Sequence, residues 1–198
     1  MKKQAILAAL LGTFLLTGCA NKPDGERNDS LEGFNRTMWK FNYNVMDRYV
    51  LEPVAKGWNN YVPKRVSSGL TSMANNLDEP VSFVNRLIEG EPKKAFVHFN
   101  RFWINTIFGL GGFVDFASAS KELRIDHQRG FGETLGSYGV DAGTYIVLPI
   151  YNATTPRQLT GAVVDAAYMY PFWEWICGPW SLVKYGVQAV DTRAKNLD

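Results

Sequence analysis

The sequence has little of the chemistry on which enzymes depend. Its 198 residues contain only two histidines, His98 and His127. The HExxH, CxxC, GxSxG and P-loop patterns are all missing. His98 falls beside an aromatic helical face and His127 in the charged segment RIDHQRG, so structural and solvated roles are expected for them. We therefore predict a protein that is not an enzyme and uses no metal or cofactor.

The sequence also lacks a hydrophobic run long enough to cross a bilayer in the body of the chain. The stretch RFWINTIFGLGGFVDFA (101–117) is uncharged from Phe102 to Val114, but three glycines interrupt it. Its 16 residues after Arg101 would make about 24 Å of helix, whereas a span needs roughly 20 residues. Two alternatives remain open. One is a buried helix–turn–helix with Asp115 capping its second arm, and the other is a re-entrant or interfacial pair of helices turning on the glycines.

The beginning of the chain has the pattern of a secretion signal. Lys2 and Lys3 precede a short apolar run, residues 5–16, which is typical of a signal peptide. LTGC follows directly and matches the lipobox of bacterial lipoproteins. We expect residues 1–18 to be the signal peptide and Cys19 to be lipidated, which anchors the protein in a membrane.

The segment after the anchor is polar and the remaining chain is nearly neutral. Ala20, rather than Asp, follows Cys19 and predicts sorting to the outer membrane. Residues 19–30 read as a flexible tether. Without the two lysines of the signal peptide, 19 basic residues face 19 acidic ones, which argues against electrostatic binding of nucleic acid. Cys177 is then the only unmodified cysteine, so no internal disulfide is expected.

Apolar residues recur at helical spacing along most of the chain. The first stripe is Phe34, Met38, Phe41, Val45 and Tyr49. Four more stripes lie within 66–77, 96–107, 159–170 and 183–197. Seven prolines are predicted to precede or open helices: Pro53, Pro63, Pro80, Pro92, Pro156, Pro171 and Pro179. TYIVLPIY (144–151) is the one plausible extended run, so we predict an all-α single domain over residues 31–198.

Two further segments are each compatible with two interpretations. The glycine-rich GFGETLGSYGVDAGTY (130–145) is either a surface loop or a hinge beside a ligand path. The aromatic YPFWEWICGPW (170–180) suits an interfacial belt or a tightly packed corner of the core.

Long stretches of the chain resemble the MlaA (VacJ) family of outer-membrane lipoproteins. The matching stretches are LEGFNRTMWKFNYNVMD (31–47), NLDEP (76–80), RFWINTIFGLGGFVDFA (101–117), FGETLGSYGVDAGTYIVLP (131–149) and DTRAKNL (191–197). The resemblance implies a ring-like domain of many short amphipathic helices around a central amphipathic channel. Such a protein is monotopic, embedded in the outer membrane from the periplasmic side, and held beside trimeric porins. Phospholipids misplaced in the outer leaflet pass through the channel to the periplasmic carrier MlaC, which maintains lipid asymmetry.

The resemblance also implies roles for particular residues. The membrane-embedded positions are expected to be Phe102, Trp103, Ile104, Ile107, Phe108, Leu110 and Phe113. The pore-lining or hinge positions are expected to be Tyr138, Gly139, Val140, Gly143 and Tyr145.

Two features depart from the family pattern. Gln158 stands where an Asp is expected after Arg157, so an ion pair there is not expected. The chain ends at Asp198, where relatives often continue, and docking of the carrier is expected to weaken if that extension serves it. The alternative function is a peripheral outer-membrane lipoprotein that acts as a binding or scaffold module without a channel, and a lipid esterase is a more distant third.

Overall fold

The computed structural model describes residues 31–125, 127–178 and 183–197. The expected signal peptide, the lipidation site Cys19 and the tether 19–30 lie outside these residues. So do Pro179 and the end of the chain at Asp198.

The described chain is mostly helical. Helix α1 (Glu32–Phe41) continues directly into a π-helix (Asn42–Leu51) and then into α2 (Glu52–Tyr61). Helices α3 (Lys64–Asn76), α4 (Glu79–Ile88) and α5 (Pro92–Ile107) follow. Two short 3₁₀ turns (Ala117–Ala119 and Lys121–Leu123) lead to α6 (Phe131–Ser137). A hairpin of β1 (Ile146–Leu148) and β2 (Asn152–Thr154) precedes α7 (Pro156–Cys177) and α8 (Val183–Lys195). The all-α prediction is confirmed.

Prolines open the helices as predicted, with one exception. Pro80, Pro92 and Pro156 lie in the first turn of their helices, where the missing N–H needs no partner, and Pro63 directly precedes α3. Pro53 also lies in the first turn of its helix, but α2 follows the π-helix without a break. Pro171 does not open a helix and the prediction for it is wrong, because α7 continues through it. An interior proline removes one backbone hydrogen bond, but the residues on either side of it can still form theirs.

The contacts between elements form a closed circuit. From α1 the circuit runs through the π-helix to α2, then to α8, α3, α5, α4, α6 and α7. Thr155 joins α7 to β2, which pairs antiparallel with β1, and β1 packs against α1 again. The sequence order and the spatial order therefore differ most at α8, which lies between α2 and α3. Among the described helices, none has both the length and the apolarity that crossing a membrane requires.

The polarity of the packing is inverted relative to a water-soluble globule. Glycine and proline aside, thirteen buried residues of the described chain are polar or charged and seven are apolar. Glu79, Asn85 and His98 are at most 1% exposed, whereas Phe108 and Leu110 are 68% and 75% exposed. The apolar stripes of α1 and α5 therefore face outward, and amides and paired charges fill the inside.

Two asparagines attach α1 to the hairpin and fix the closure of the circuit. The side chain of Asn35 donates to the carbonyl of Tyr145 at 2.9 Å and accepts from the backbone N–H of Val147 at 2.8 Å. Asn42, two turns further on, donates to the carbonyl of Leu148 at 2.8 Å and accepts from the N–H of Ile150 at 2.9 Å. These carboxamides take the place of a neighbouring strand along the free edge of β1.

The hairpin refines the prediction of an extended run at 144–151. Strand β1 lies inside that run, but the predicted strand was longer than the observed one, and β2 was not predicted. Ile146 pairs with Thr154 and Leu148 with Asn152, so each strand spans only three residues.

The stretch 101–117 does not form a pair of helices. Helix α5 ends at Ile107, and the chain turns through Leu110, Gly111 and Gly112, which have φ of 54°, 72° and 97°. Three successive residues in this conformation prevent a second helical arm from starting. Asp115 accepts a hydrogen bond from the N–H of Ser118 at 3.2 Å, so it caps a 3₁₀ turn rather than the predicted second helix.

Candidate functional site

An amphipathic cavity of about 370 Å³ lies between α4, α7, α8 and the segment before α6. Its apolar wall comes from one stripe of α7, Ala162, Ala166, Met169 and Trp173, spaced by four, three and four residues. The alanines leave room beside the helix. Trp173 is 5% exposed and its ring packs 6.3 Å from that of Phe102, which closes the end of the wall.

The polar part of the lining comes from several elements. It consists of Asp78, Ser82, Gln128, Arg129, Glu133, Asp165 and Lys184. Lys184 forms an ion pair with Asp78, and Arg129 pairs with Glu89 at 2.7 Å. Because each cation has an acidic partner, the polar part of the lining offers hydrogen-bonding groups without a large field of one sign.

Asp165 of α7 links this helix to α6 and α4 beside the cavity. Asp165 accepts the N–H of Phe131 at 2.7 Å, which caps the first turn of α6. Its other oxygen accepts from the hydroxyl of Tyr168 at 2.8 Å and from Asn85 at 3.0 Å. Burial and then Asp165 raise the pKa of the Tyr168 phenol above its ordinary value, so it stays a neutral donor.

The departure at position 158 leaves a neutral contact in place of an ion pair. The amide of Gln158 donates to Glu133 at 3.1 Å, across the interface of α6 and α7. The neighbouring Arg157 donates to the carbonyl of Val140 at 2.8 Å.

A second cavity, of about 480 Å³, adjoins the first. Gln128 borders both cavities. Of the twelve described residues that line the second, only Ile125 is aliphatic. Its floor is a buried chain of charges, because Arg101 donates to Glu79 at 2.7 Å and to Asp115 at 3.0 Å.

The partners of Asp115 keep it charged. Desolvation by burial opposes the charged form, but hydrogen bonds from Ser118, Asn105 and Arg101 outweigh it and hold the pKa of Asp115 below its ordinary value. On the far side of Glu79, His98 lies 2.6 Å away through its Nδ1. His98 is 1% exposed, as expected for a structural histidine.

The residues expected to line a pore or hinge lie together after α6. Gly139 and Gly143 have φ of 83° and 77° and need glycine for that backbone. Tyr138 donates its hydroxyl to the carbonyl of Ile88, and Val140 accepts from Arg157. Tyr145 borders a third, shallower cavity beside the hairpin. Their role stays a prediction, since the first two cavities are lined by other described residues.

The residues expected to be membrane-embedded lie mostly on the outer surface. Trp103, Ile107, Phe108 and Leu110 are exposed. Phe102, Ile104 and Phe113 are half-buried. Embedding in lipid stays a prediction for all seven.

Sequence analysis missed most of the residues that line the first two cavities. The stripe predicted on α7 shares Ala166 with the wall of the first cavity, but its other members Leu159 and Val163 do not line that cavity. The alanines at 162 and 166 were the available sequence signal for the cavity beside α7, because alanine is the apolar residue that leaves space next to a helix. The sequence also contained a signal for the polar interior, because Asn35 and Asn42 are seven residues apart and therefore share a helical face.

Comparison with known proteins gives consistent matches over the chain. The family described as MlaA lipoprotein matches residues 27–198. The intermembrane phospholipid transport system lipoprotein MlaA of Haemophilus influenzae is 84% identical over 202 residues, covering 100% of this chain and 81% of that protein. The protein of the same description from Escherichia coli K12 is 44% identical over 199 residues, covering 99% and 78%. A solved structure described as the structural basis for maintenance of bacterial outer membrane lipid asymmetry superposes with a TM-score of 0.77 at 43% identity, covering 85% of this chain and 84% of the other.

Fold and cavities together define a class of all-α protein with a polar, hollow interior and an apolar exterior. Within that class, the chain belongs to the MlaA lipoprotein family.

Proposed function

We propose that this protein is an outer-membrane lipoprotein that removes mislocalised phospholipids from the outer leaflet and passes them to a periplasmic carrier. It thereby maintains the lipid asymmetry of the outer membrane. The relatives described as phospholipid transport lipoproteins support this proposal. The observation that carries it is the amphipathic cavity beside α7.

A phospholipid needs both the apolar and the polar part of that cavity's lining. Moving its charged head through hydrocarbon without partners costs several kcal/mol or more. Arg129, Gln128 and Ser82 offer donors and acceptors to the head as it passes, while the Ala162–Trp173 stripe of α7 offers an apolar surface to the tails. The path lowers a barrier and makes or breaks no covalent bond, so no catalytic residue or cofactor is required.

The exterior supports a monotopic position in the membrane. Contiguous exposed apolar surface on a folded chain marks a membrane or protein interaction site. Trp103, Phe108 and Leu110 provide such a surface at the C-terminal end of α5 and the turn after it. A lipid on Cys19 would anchor the chain on the periplasmic side, and the partners are a trimeric porin and the carrier MlaC.

Blocking the cavity tests the proposal. Ala166→Trp places a large side chain in the cavity, and Val163→Trp places the same side chain on α7, where Val163 is 47% exposed and does not line the cavity. In a strain that lacks its own copy, we expect Ala166→Trp to let phospholipid accumulate in the outer leaflet, and Val163→Trp to prevent it, at equal protein levels. Normal asymmetry with Ala166→Trp would contradict transport through this cavity.

A second experiment separates the embedded protein from a peripheral scaffold. A Cys19→Ser variant without acyl chains is expected to need detergent, because its exposed aromatic surface remains. If that variant is monodisperse in plain buffer, the peripheral alternative is favoured instead.

A further inference from the structure

The second cavity differs from the amphipathic one in that its lining is mainly polar and offers less surface to an acyl chain. Eleven of the twelve described residues that line it are polar or charged. Placing hydrocarbon against these groups would remove their water without replacing its hydrogen bonds. Its volume, about 480 Å³, falls within the range of about 300–1,000 Å³ of small-molecule sites. The cavity is therefore suited to a small polar ligand.

The charges of this cavity are balanced. Among the described lining residues, Arg101 and Arg124 oppose Glu79 and Asp115. Arg101 is engaged by both carboxylates at the floor. A ligand with a net negative charge gains little from such a lining, whereas one that carries both signs finds a partner for each.

The rim of the second cavity provides a partner for the negative group of such a ligand, and the inner wall provides one for its positive group. Arg124 is exposed and donates through Nε to the carbonyl of Ser118 at 3.2 Å, and no carboxylate of the described chain pairs with it. Its terminal N–H groups suit a phosphate oxygen. Asn76, which is 3% exposed, donates to Thr106 at 2.9 Å, but its side-chain oxygen has no hydrogen-bond partner within the described part of the chain. Asn76 also lines the cavity, and a turn of its side chain toward a ligand that donates an N–H would give that buried acceptor a partner.

The second cavity lies beside the amphipathic cavity, which is the proposed path of the lipid. Gln128 borders both cavities and donates to the carbonyl of Asn75 at 2.6 Å. A head in the polar cavity can thus belong to a molecule whose apolar part lies beside α7.

We propose that the second cavity is a recess for the headgroup of a zwitterionic phospholipid that carries a free ammonium, with its phosphate at Arg124 and its ammonium toward Asn76. The inference rests on the proposed transport function and adds the headgroup class to it. One hydrogen bond from a charged donor gives a preference of about tenfold. The recess therefore favours phosphatidylethanolamine over phosphatidylcholine, which cannot donate, and over phosphatidylglycerol, which is anionic.

Native mass spectrometry of the full chain in detergent tests this inference. The protein is offered phosphatidylethanolamine, phosphatidylcholine and phosphatidylglycerol with identical acyl chains at equal concentrations. We expect phosphatidylethanolamine to occupy the protein about tenfold more than either of the others. Equal occupancy by all three would overturn the headgroup inference and leave transport standing, whereas binding of none would overturn both.

Two variants test whether the side-chain oxygen of Asn76 causes the preference for phosphatidylethanolamine. Asn76→Leu removes the unpaired oxygen together with the bond to Thr106, and Thr106→Val removes that bond alone. We expect the preference for phosphatidylethanolamine to disappear in Asn76→Leu and to persist in Thr106→Val. Loss in both variants, or in neither, would show that the oxygen of Asn76 is not the partner, and circular dichroism checks that each variant is folded. The wild-type comparison stands even if one variant does not fold.

A competition arm distinguishes a lipid from a soluble phosphoester. Glycerophosphoethanolamine has the same head without tails, so it should displace the bound lipid only at large excess. Displacement at equal concentration would assign the recess to soluble phosphoesters and overturn the lipid assignment.

Discussion

The contact between α6 and α7 gives a sharp prediction about stability. A Cβ at Gly161 would lie 2.5 Å from the Cα of Gly132, closer still to its nitrogen, and 3.0 Å from the carbonyl carbon of Phe131. All three atoms are backbone, so the clash cannot be relieved by rotating a side chain. Gly161→Ala must therefore push the two helices apart.

The magnitude follows from two opposing effects. Overpacking costs about 1–3 kcal/mol, and replacing a helical glycine by alanine returns about 1 kcal/mol. Separation of the helices also lengthens the bonds from Phe131 to Asp165 and from Gln158 to Glu133. Net destabilisation of about 1–2 kcal/mol lowers the Tm by roughly 2–8 °C for a chain of this size.

Thermal melting in detergent micelles, followed by circular dichroism, measures this change. Gly57→Ala is the matched control, because Gly57 lies within α2 and a Cβ there meets nothing within 4 Å. That variant should melt at the same temperature as the wild type or slightly higher. A Tm for Gly161→Ala as high as that of Gly57→Ala would refute the close packing of α6 on α7.

Two more predictions concern the hydrogen bonds between Asn42 and the hairpin, and the charged groups at the floor of the second cavity. Asn42→Ala removes both hydrogen bonds to the hairpin, one to the carbonyl of Leu148 in β1 and one from the N–H of Ile150 in the turn, and we expect faster hydrogen exchange at that N–H. Asn44→Ala on the exposed face should leave it unchanged. Unchanged exchange in Asn42→Ala would mean that the amide does not hold the strand edge. The folded pKa of Asp115 lies below its ordinary 3.8, so its stabilisation is complete above about pH 4 and is lost as the pH falls through the lower, folded pKa. Unfolding midpoints should therefore differ between wild type and Asp115→Asn above pH 4 and converge in stronger acid, and a constant difference down to the lowest pH would contradict this.

Periodicity predicted the helices well because it needs only local spacing. The stripe from Phe34 to Tyr49 correctly indicated a helix, and neighbouring turns fix that spacing whichever way the face points. Periodicity alone could not tell that the stripe faces outward. That orientation depends on Asn35 and Asn42 meeting the backbone of β1, more than a hundred residues later.

The candidate cavities were harder to predict, since non-local pairings build them. Arg101 and Asp115 lie in one stretch, but Glu79 is on another helix and completes the floor only after folding. The turn after α5 was misjudged for a related reason. Glycines at 111 and 112 permit many conformations, and packing against Asn76 helps to select the one observed. A Cβ at Gly112 would lie 2.5 Å from the Cβ of Asn76, so only glycine fits there.

The position of α8 between α2 and α3 constrains when the protein can complete its folding. Asn59 of α2 donates to the carbonyl of Ala194 at 2.7 Å, and Arg193 pairs with Asp47 at 2.7 Å across 146 positions of sequence. The gap between α2 and α3 can be filled only after nearly all of the chain has left the ribosome. Until then α2 and α3 lack the helix that packs against both of them, so the circuit of contacts stays open.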